Sequence, residues 1–237
     1  MPSLSFSLLT GYFPVFLIGR KREWGKFVYG FLVLLLSFYA VSVLTRVPVW
    51  KDDKTIYTDI LKKSPEAGIA YNGLGNILME EGRLDEAEEL FGRALTFMPD
   101  YPEALNNMGL IYGRRGHLED AVRYIKKSIQ AKPWYAKAYN NLGVICMLQG
   151  QTREAIAQFR EAVRLEPELV RAYFSMGKAY MSLGEFDKAI APISQAVRLD
   201  PENALYHGSL GMAYREIGLL AEAEREFRVA DELEIGP

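Results

Sequence analysis

Residues 136–169 read AKAYNNLGVICMLQGQTREAIAQFREAVRLEPEL, and the spacing inside this stretch decides the fold. Tyr139, Leu142, Gly143 and Cys146 stand at i, i+3, i+4 and i+7, one face of a helix over residues 136–149. Gly150 then supplies the left-handed turn that ends a helix without a side-chain clash. Thr152 stands where it can cap a second helix, on which Ala155, Phe159 and Ala162 fall at i, i+4 and i+7. Pro167 closes that helix and restricts Glu166 ahead of it. Small side chains at Gly143 and Ala155 let the two helices approach, and Phe159 fills the space between neighbouring units.

The unit recurs. Gly75, Gly109, Gly143, Gly177 and Gly211 are 34 residues apart, as are Ala87, Ala121, Ala155, Ala189 and Ala223. Pro99, Pro133, Pro167 and Pro201 keep the same interval. Five occurrences without an insertion define units 68–101, 102–135, 136–169, 170–203 and 204–237. A fixed period of this size marks a solenoid, in which each helix pair buries its apolar face against the next.

The residues that carry the period are Tyr71-Leu74-Gly75, Leu105-Met108-Gly109-Tyr112, Tyr139-Leu142-Gly143, Tyr173-Met176-Gly177-Tyr180 and His207-Leu210-Gly211-Tyr214. With the alanines and prolines above, they resemble the tetratricopeptide (TPR) signature over residues 68–237. Departures are few: Cys146 at the second tyrosine position, Ser128 at a small alanine position and Ile235 where the last proline would be. The resemblance implies an all-α, right-handed superhelix of five helix-turn-helix repeats that holds peptide segments in a concave groove lined by first helices. Counting 34 back from the first repeat, Tyr57, Ile60 and Leu61 form an apolar face, so residues 51–67 read as a capping half-repeat.

In the family, positions 2, 5, 6, 9, 12 and 13 of each repeat face the groove. Here the resemblance brings forward Asn72, Asn76, Asn106, Asn107, Lys137, Asn140, Asn141, Arg171, Phe174, Lys178 and Arg215 as peptide-binding residues. Met79, Leu110, Arg114, Val144, Met147 and Met212 join them on the same face. Asn106-Asn107 and Asn140-Asn141 recur at positions 5 and 6, and an amide offers both donor and acceptor to an extended backbone. Lys137, Arg171, Lys178 and Arg215 gather toward the C-terminal half and favour an acidic segment there. The carboxylate clamp of some TPR domains is matched at Asn76, Asn107 and Lys137. Asn72 and Asn141 stand where it needs basic residues, so a ligand of the EEVD type is not implied.

The first fifty residues differ in kind. Residues 27–44, FVYGFLVLLLSFYAVSVL, are eighteen without a charge. As a helix they measure about 27 Å, near the thickness of a bilayer's hydrocarbon core. Arg20, Lys21, Arg22 and Lys26 crowd the N-terminal flank, while Asp52 and Asp53 dilute the bases on the other. By the positive-inside rule the repeats then lie on the outer, periplasmic or lumenal, side. A second apolar stretch at residues 4–18, broken by Gly11 and Pro14, reads as a marginal first pass or an interfacial segment. No small-x-small site follows residues 27–44, which disfavours a cleaved signal peptide.

Residues 1–67 carry nine Lys/Arg and five Asp/Glu, a net of +4; the repeats hold nineteen and twenty-five, a net of −6. That balance does not suit a nucleic-acid binder. One cysteine, Cys146, makes no intramolecular disulfide. No nucleophile–base motif, phosphate-binding glycine loop or metal-ligand cluster is legible, so neither enzyme chemistry nor a cofactor or metal is expected. His117 and His207 read as structural, and the carboxylate runs 85–89 and 222–226 as solvated starts of second helices.

Arg46, then Trp50-Lys51-Asp52-Asp53-Lys54-Thr55, an amphipathic helix and Ser64-Pro65 resemble the junction in membrane proteins with a C-terminal TPR array. In those, a multi-spanning part similar to mannosyltransferase-type glycosyltransferases precedes the repeats. The expected function is thus a membrane-anchored scaffold for protein or peptide partners; the alternative is the C-terminal or accessory region of a membrane glycosyltransferase. Phe227 and Leu233 on the last helix form a candidate patch for self-association.

Overall fold

The computed structural model describes residues 22–46 and 52–235, and every regular element in them is an α-helix. The chain divides into two units, residues 1–59 and 60–237. In the first, α1 (Arg22–Arg46) contains the eighteen-residue apolar run within 25 helical residues. Its apolar side chains stay in the open: Phe27 is 78% and Phe38 77% exposed. Among the described residues no helix is long and apolar enough to cross a membrane. The expected transmembrane segment is therefore established as a helix and not as a span; the side chains described there stop at Val41. The apolar stretch at residues 4–18 and the connection at 47–51 lie outside the described residues.

The helix α2 (Asp53–Lys63) opens on a capping box. The Thr55 N–H donates to Asp52 Oδ1 at 2.8 Å, and the Asp52 N–H donates to Thr55 Oγ1 at 3.3 Å. It buries no residue of its own, but Leu61 packs against the cluster of Tyr71 and Ala94 of the first repeat and Ala104 of the second.

Ten helices follow as five antiparallel pairs: α3 (Gly68–Glu80) with α4 (Leu84–Phe97), α5 (Pro102–Arg114) with α6 (Leu118–Ala131), and α7 (Ala136–Leu148) with α8 (Thr152–Leu165). The last two pairs are α9 (Val170–Ser182) with α10 (Phe186–Leu199) and α11 (Ala204–Glu216) with α12 (Leu220–Ile235). The turn between partners is the same each time. Gly82, Gly116, Gly150, Gly184 and Gly218 have φ between 73° and 82°, a region open to glycine. At Gly150 the Gln151 N–H reaches back to the Cys146 carbonyl at 2.8 Å and the Gly150 N–H to Met147 at 3.0 Å, a Schellman closure. Gln151, not Thr152, then stands at the N-cap of α8, and it makes no side-chain cap. The tight reversal leaves no residue between the closure and the next helix, so Thr152 is already helical.

Within each pair the glycine at the eighth position of the first helix lies under the large side chain sixteen residues on. A Cβ added at Gly143 would stand 2.5 Å from Phe159 Cε1, and one at Gly75 would stand 2.5 Å from Phe91 Cε1. Phe159 thus closes over its own repeat and shares one continuous core with Ala179 of the next. At the second tyrosine position Cys146 is buried, and burial pushes its thiol above the ordinary range. Ser128 at an alanine position donates its hydroxyl to the Pro102 carbonyl at 2.7 Å, so the extra oxygen is satisfied.

First helices of neighbouring repeats come together, α3 with α5, α5 with α7 and α7 with α9, while a second helix meets the next repeat through that repeat's first helix. Closer spacing in the first-helix layer curves the stack toward that layer and makes it the concave face.

Candidate functional site

The asparagines join the repeats to one another. Asn107 Nδ2 donates to Asn72 Oδ1 at 3.1 Å and to Asn76 Oδ1 at 2.7 Å, bridging α3 and α5. Asn141 Nδ2 donates to Asn106 Oδ1 at 2.9 Å, bridging α5 and α7, and Asn140 Nδ2 donates to Asn141 Oδ1 at 3.3 Å. Asn72, Asn106, Asn107 and Asn140 are buried, whereas Asn76 and Asn141 keep partial access to the groove. The rule is one rung per junction: position 6 of a repeat donates to position 5 of the repeat before it. At the next junction position 6 is Ser175, a shorter side chain, and Asn140 Oδ1 is buried without a hydrogen-bond partner. The ladder stops where the sequence changes from Asn-Asn to Phe174-Ser175.

There the face changes character. Lys137, Arg171 and Lys178 are exposed on α7 and α9, and among the described residues none of them is ion-paired or hydrogen-bonded. Lys178 Nζ stands 5.8 Å from the centre of the Phe174 ring, which meets Tyr206 of the following repeat at 4.6 Å. Arg215, further on, lies over the Phe227 ring at 5.7 Å and 3.8 Å from Glu216. It is therefore less available than the other three cations.

Apolar side chains lie open between these charges. Val144 is 37% exposed, and Leu148, one turn on, is 60% exposed. Leu205 and Met212 on α11 are similarly open. Leu148 and Leu205 were not among the residues brought forward from the sequence, although they occupy positions 13 and 2 of their repeats. A leucine in a helix that must also build a core reads as core unless its register is followed.

Other sequence-singled residues are structural. His207 is buried, with Nε2 3.1 Å from the Pro201 carbonyl and Nδ1 2.7 Å from Glu226 Oε2. The first contact reproduces, six residues back, the bond from the Tyr71 hydroxyl to the Pro65 carbonyl at 3.0 Å. His117 is the N-cap residue of α6, at the turn. The carboxylate run at 85–89 is not simply solvated. Glu88 accepts from Arg115 Nη1 at 2.5 Å and from the Tyr112 hydroxyl at 3.0 Å, and Asp85 also pairs with Arg115. This ties the first repeat to the second, because Glu88 lies on the side of α4 that meets the end of α5. Burial raises the Glu88 carboxyl, but the Arg115 and Tyr112 bonds outweigh it and hold the group below the usual carboxylate range. The Glu88 bond, with burial second, pushes Tyr112 up to about 12. Of the candidate self-association patch, Phe227 is half-buried over Gly211 and Leu233 is half-buried. Among the described residues no group of three or more His, Cys, Asp or Glu side chains is placed to hold a metal ion.

Comparison with known proteins agrees with this architecture. Three tetratricopeptide-repeat family models match residues 66–133, 144–184 and 174–237. The crystal structure of MamA aligns with a TM-score of 0.60 at 30% identity, covering 68% of this chain and 94% of that one. The fold of YrrB, described as a TPR protein with an unusual peptide-binding site, aligns with a TM-score of 0.56 at 20% identity, over 76% and 92% of the two chains. The Drosophila melanogaster protein O-mannosyl-transferase Tmtc2 is 28% identical over 100 residues, 42% of this chain and 10% of that protein. The chain thus spans about a tenth of the length of the curated relatives it matches.

Proposed function

Because the chain belongs to the tetratricopeptide repeat family, we propose that it is a scaffold whose concave face holds segments of partner proteins, carried on a membrane by α1. The observation that carries the groove reading is the set of exposed, unpaired cations Lys137, Arg171 and Lys178 beside open apolar side chains. By contrast Arg115, which ties two repeats together, is paired with Glu88 and Asp85. Cations left open on a curved face, in an array of net −6, favour an acidic partner. The anchor reading rests on a 25-residue helix with exposed phenylalanines and leucines and with Arg22 and Lys26 at its start. Under the positive-inside rule the repeats occupy the outer side, with α2 as a half-repeat capping the first pair.

Binding is tested by screening the full chain, in detergent micelles, against an array of peptides of graded charge. Retention of acidic, apolar-containing peptides that is lost in Arg171→Glu/Lys178→Glu supports the reading; identical retention by that variant removes it. The anchor is tested by alkaline extraction of membranes together with protease accessibility. Release of the chain into the soluble fraction contradicts it, and digestion of the repeats from the cytoplasmic side contradicts the outer placement.

A second reading is favoured by the matches to O-mannosyl-transferases: the chain acts as a C-terminal or accessory region of a multi-spanning membrane glycosyltransferase, with catalysis outside these repeats. Co-purification with a multi-spanning transferase, or a transferase activity that falls when the chain is deleted, distinguishes this reading.

A further inference from the structure

Resting on the groove reading above, we infer that the occupant of the concave face is an amphipathic helix with carboxylates beside an apolar stripe, and not an extended strand.

An extended segment brings one N–H and one C=O per residue into the groove, and each needs a partner once water is excluded. Most of the amide oxygens that would accept from its N–H groups are already engaged. The oxygens of Asn72, Asn76, Asn106 and Asn141 each accept from a neighbouring asparagine. Asn72, Asn106, Asn107 and Asn140 are buried at the junctions between repeats. The ladder builds the groove wall, and of its members only Asn76 and Asn141 keep partial access to the groove's contents. Toward the C-terminal half even this amide supply ends, since Phe174 and Ser175 replace the pair.

What the face does offer are side-chain contacts. Val144 and Leu148 form an apolar strip one helical turn apart on α7. Arg171 and Lys178 on α9 bring two cations two turns apart on a neighbouring helix, among the described residues without a carboxylate between them. The apolar and cationic side chains stand on neighbouring first helices and coincide at position 9 of the two repeats, Val144 and Lys178, so the complementary surface carries apolar residues on one line and carboxylates on the next. A helix presents that arrangement at i, i+3, i+4 and i+7 while satisfying its own backbone. A strand alternates its faces and cannot bring both lines down together.

The test compares two peptides of the same length and charge on the full chain in micelles, read by fluorescence anisotropy. One carries leucines at i, i+3 and i+7 beside a line of glutamates and is locked as a helix by a solvent-face staple. The other is the same peptide broken by two prolines. The inference predicts that the locked helix binds tighter on the order of tenfold. It also predicts that Arg171→Glu/Lys178→Glu loses that margin for the glutamate peptide and regains it for a lysine counterpart. The exposed change Leu148→Ser lowers affinity for both charge forms. Equal or tighter binding of the proline-broken peptide overturns the helix and leaves the groove reading standing. Binding of the helix undiminished in both variants overturns the placement, and binding of neither peptide overturns the inference and the groove reading together.

Discussion

Asn141 donates its amide to the oxygen of Asn106, 2.9 Å away and 35 residues back, and this bond joins two repeats across their concave side. The equivalent bond one repeat earlier runs from Asn107 to Asn72. One repeat later Ser175 occupies the donor position and Asn140 Oδ1 has no partner. A buried acceptor left without a hydrogen bond costs about 1–3 kcal/mol. Ser175→Asn is therefore expected to stabilise the array, by roughly 1 kcal/mol once side-chain ordering is counted. Native-state hydrogen exchange should show slower opening in α7 and α9. No change, or faster exchange there, would show that the rung cannot form.

The two classes of glycine should respond in opposite ways. Gly143→Ala places a methyl group 2.5 Å from the Phe159 ring, with the core on every side, and is expected to cost about 1–3 kcal/mol through overpacking. Gly92→Ala in α4 meets nothing within 4 Å and should stabilise by about 0.5–1 kcal/mol. Gly150→Ala also meets nothing within 4 Å, yet its φ of 75° makes it destabilising by about 1–2 kcal/mol. Urea titrations of the three variants order them Gly92→Ala, wild type, then the other two.

Acid should loosen the first two repeats through Glu88. Its carboxyl lies below the ordinary value of 4.5 in the folded protein, so the folded state binds this proton less readily than the unfolded chain. The contribution is complete above about pH 4.5 and is lost as pH falls through the folded value. Glu88→Gln should lower stability at pH 7 and flatten its decline between neutral pH and pH 3 or so. An unaltered acid profile in that variant would show that Arg115 and Tyr112 do not hold the carboxylate.

His207 meets an acceptor at each ring nitrogen, Pro201 on one side and Glu226 on the other. His207→Phe keeps the ring and removes both bonds, at an expected cost of about 1–3 kcal/mol. His207→Tyr restores the hydroxyl that Tyr71 directs at Pro65, and should recover part of that loss. Thermal unfolding distinguishes the two; equal losses would mean that ring size, not bonding, governs the site.

Most of the array was legible because its determinants are local. The period of 34 fixes where helices turn, and Gly150 or Phe159 does the same work in each copy. The proposed binding face was legible only as a register. Lys137, Arg171 and Lys178 were found because position alone predicts exposure, and the structure places them open on that face. The asparagines lie on the first helices as expected, and there they also bond one another. Whether an amide faces a ligand or another amide depends on residues 31 and 35 positions away, which one sequence does not bring together. Glu88 was hidden for the same reason, its partners lying 24 and 27 residues on. Thr152 misled because the glycine turn is tighter than a cap requires.

The central claim is that partners occupy the first-helix face. It is tested most directly by site-specific photo-crosslinking of the full chain in its own cells. A photoreactive residue at Val144, open on α7, is predicted to give discrete protein adducts that disappear in an Arg171→Glu/Lys178→Glu background. The same residue at Ala157, exposed on the second helix α8, should give none. Adducts at Ala157 with none at Val144 would contradict the account.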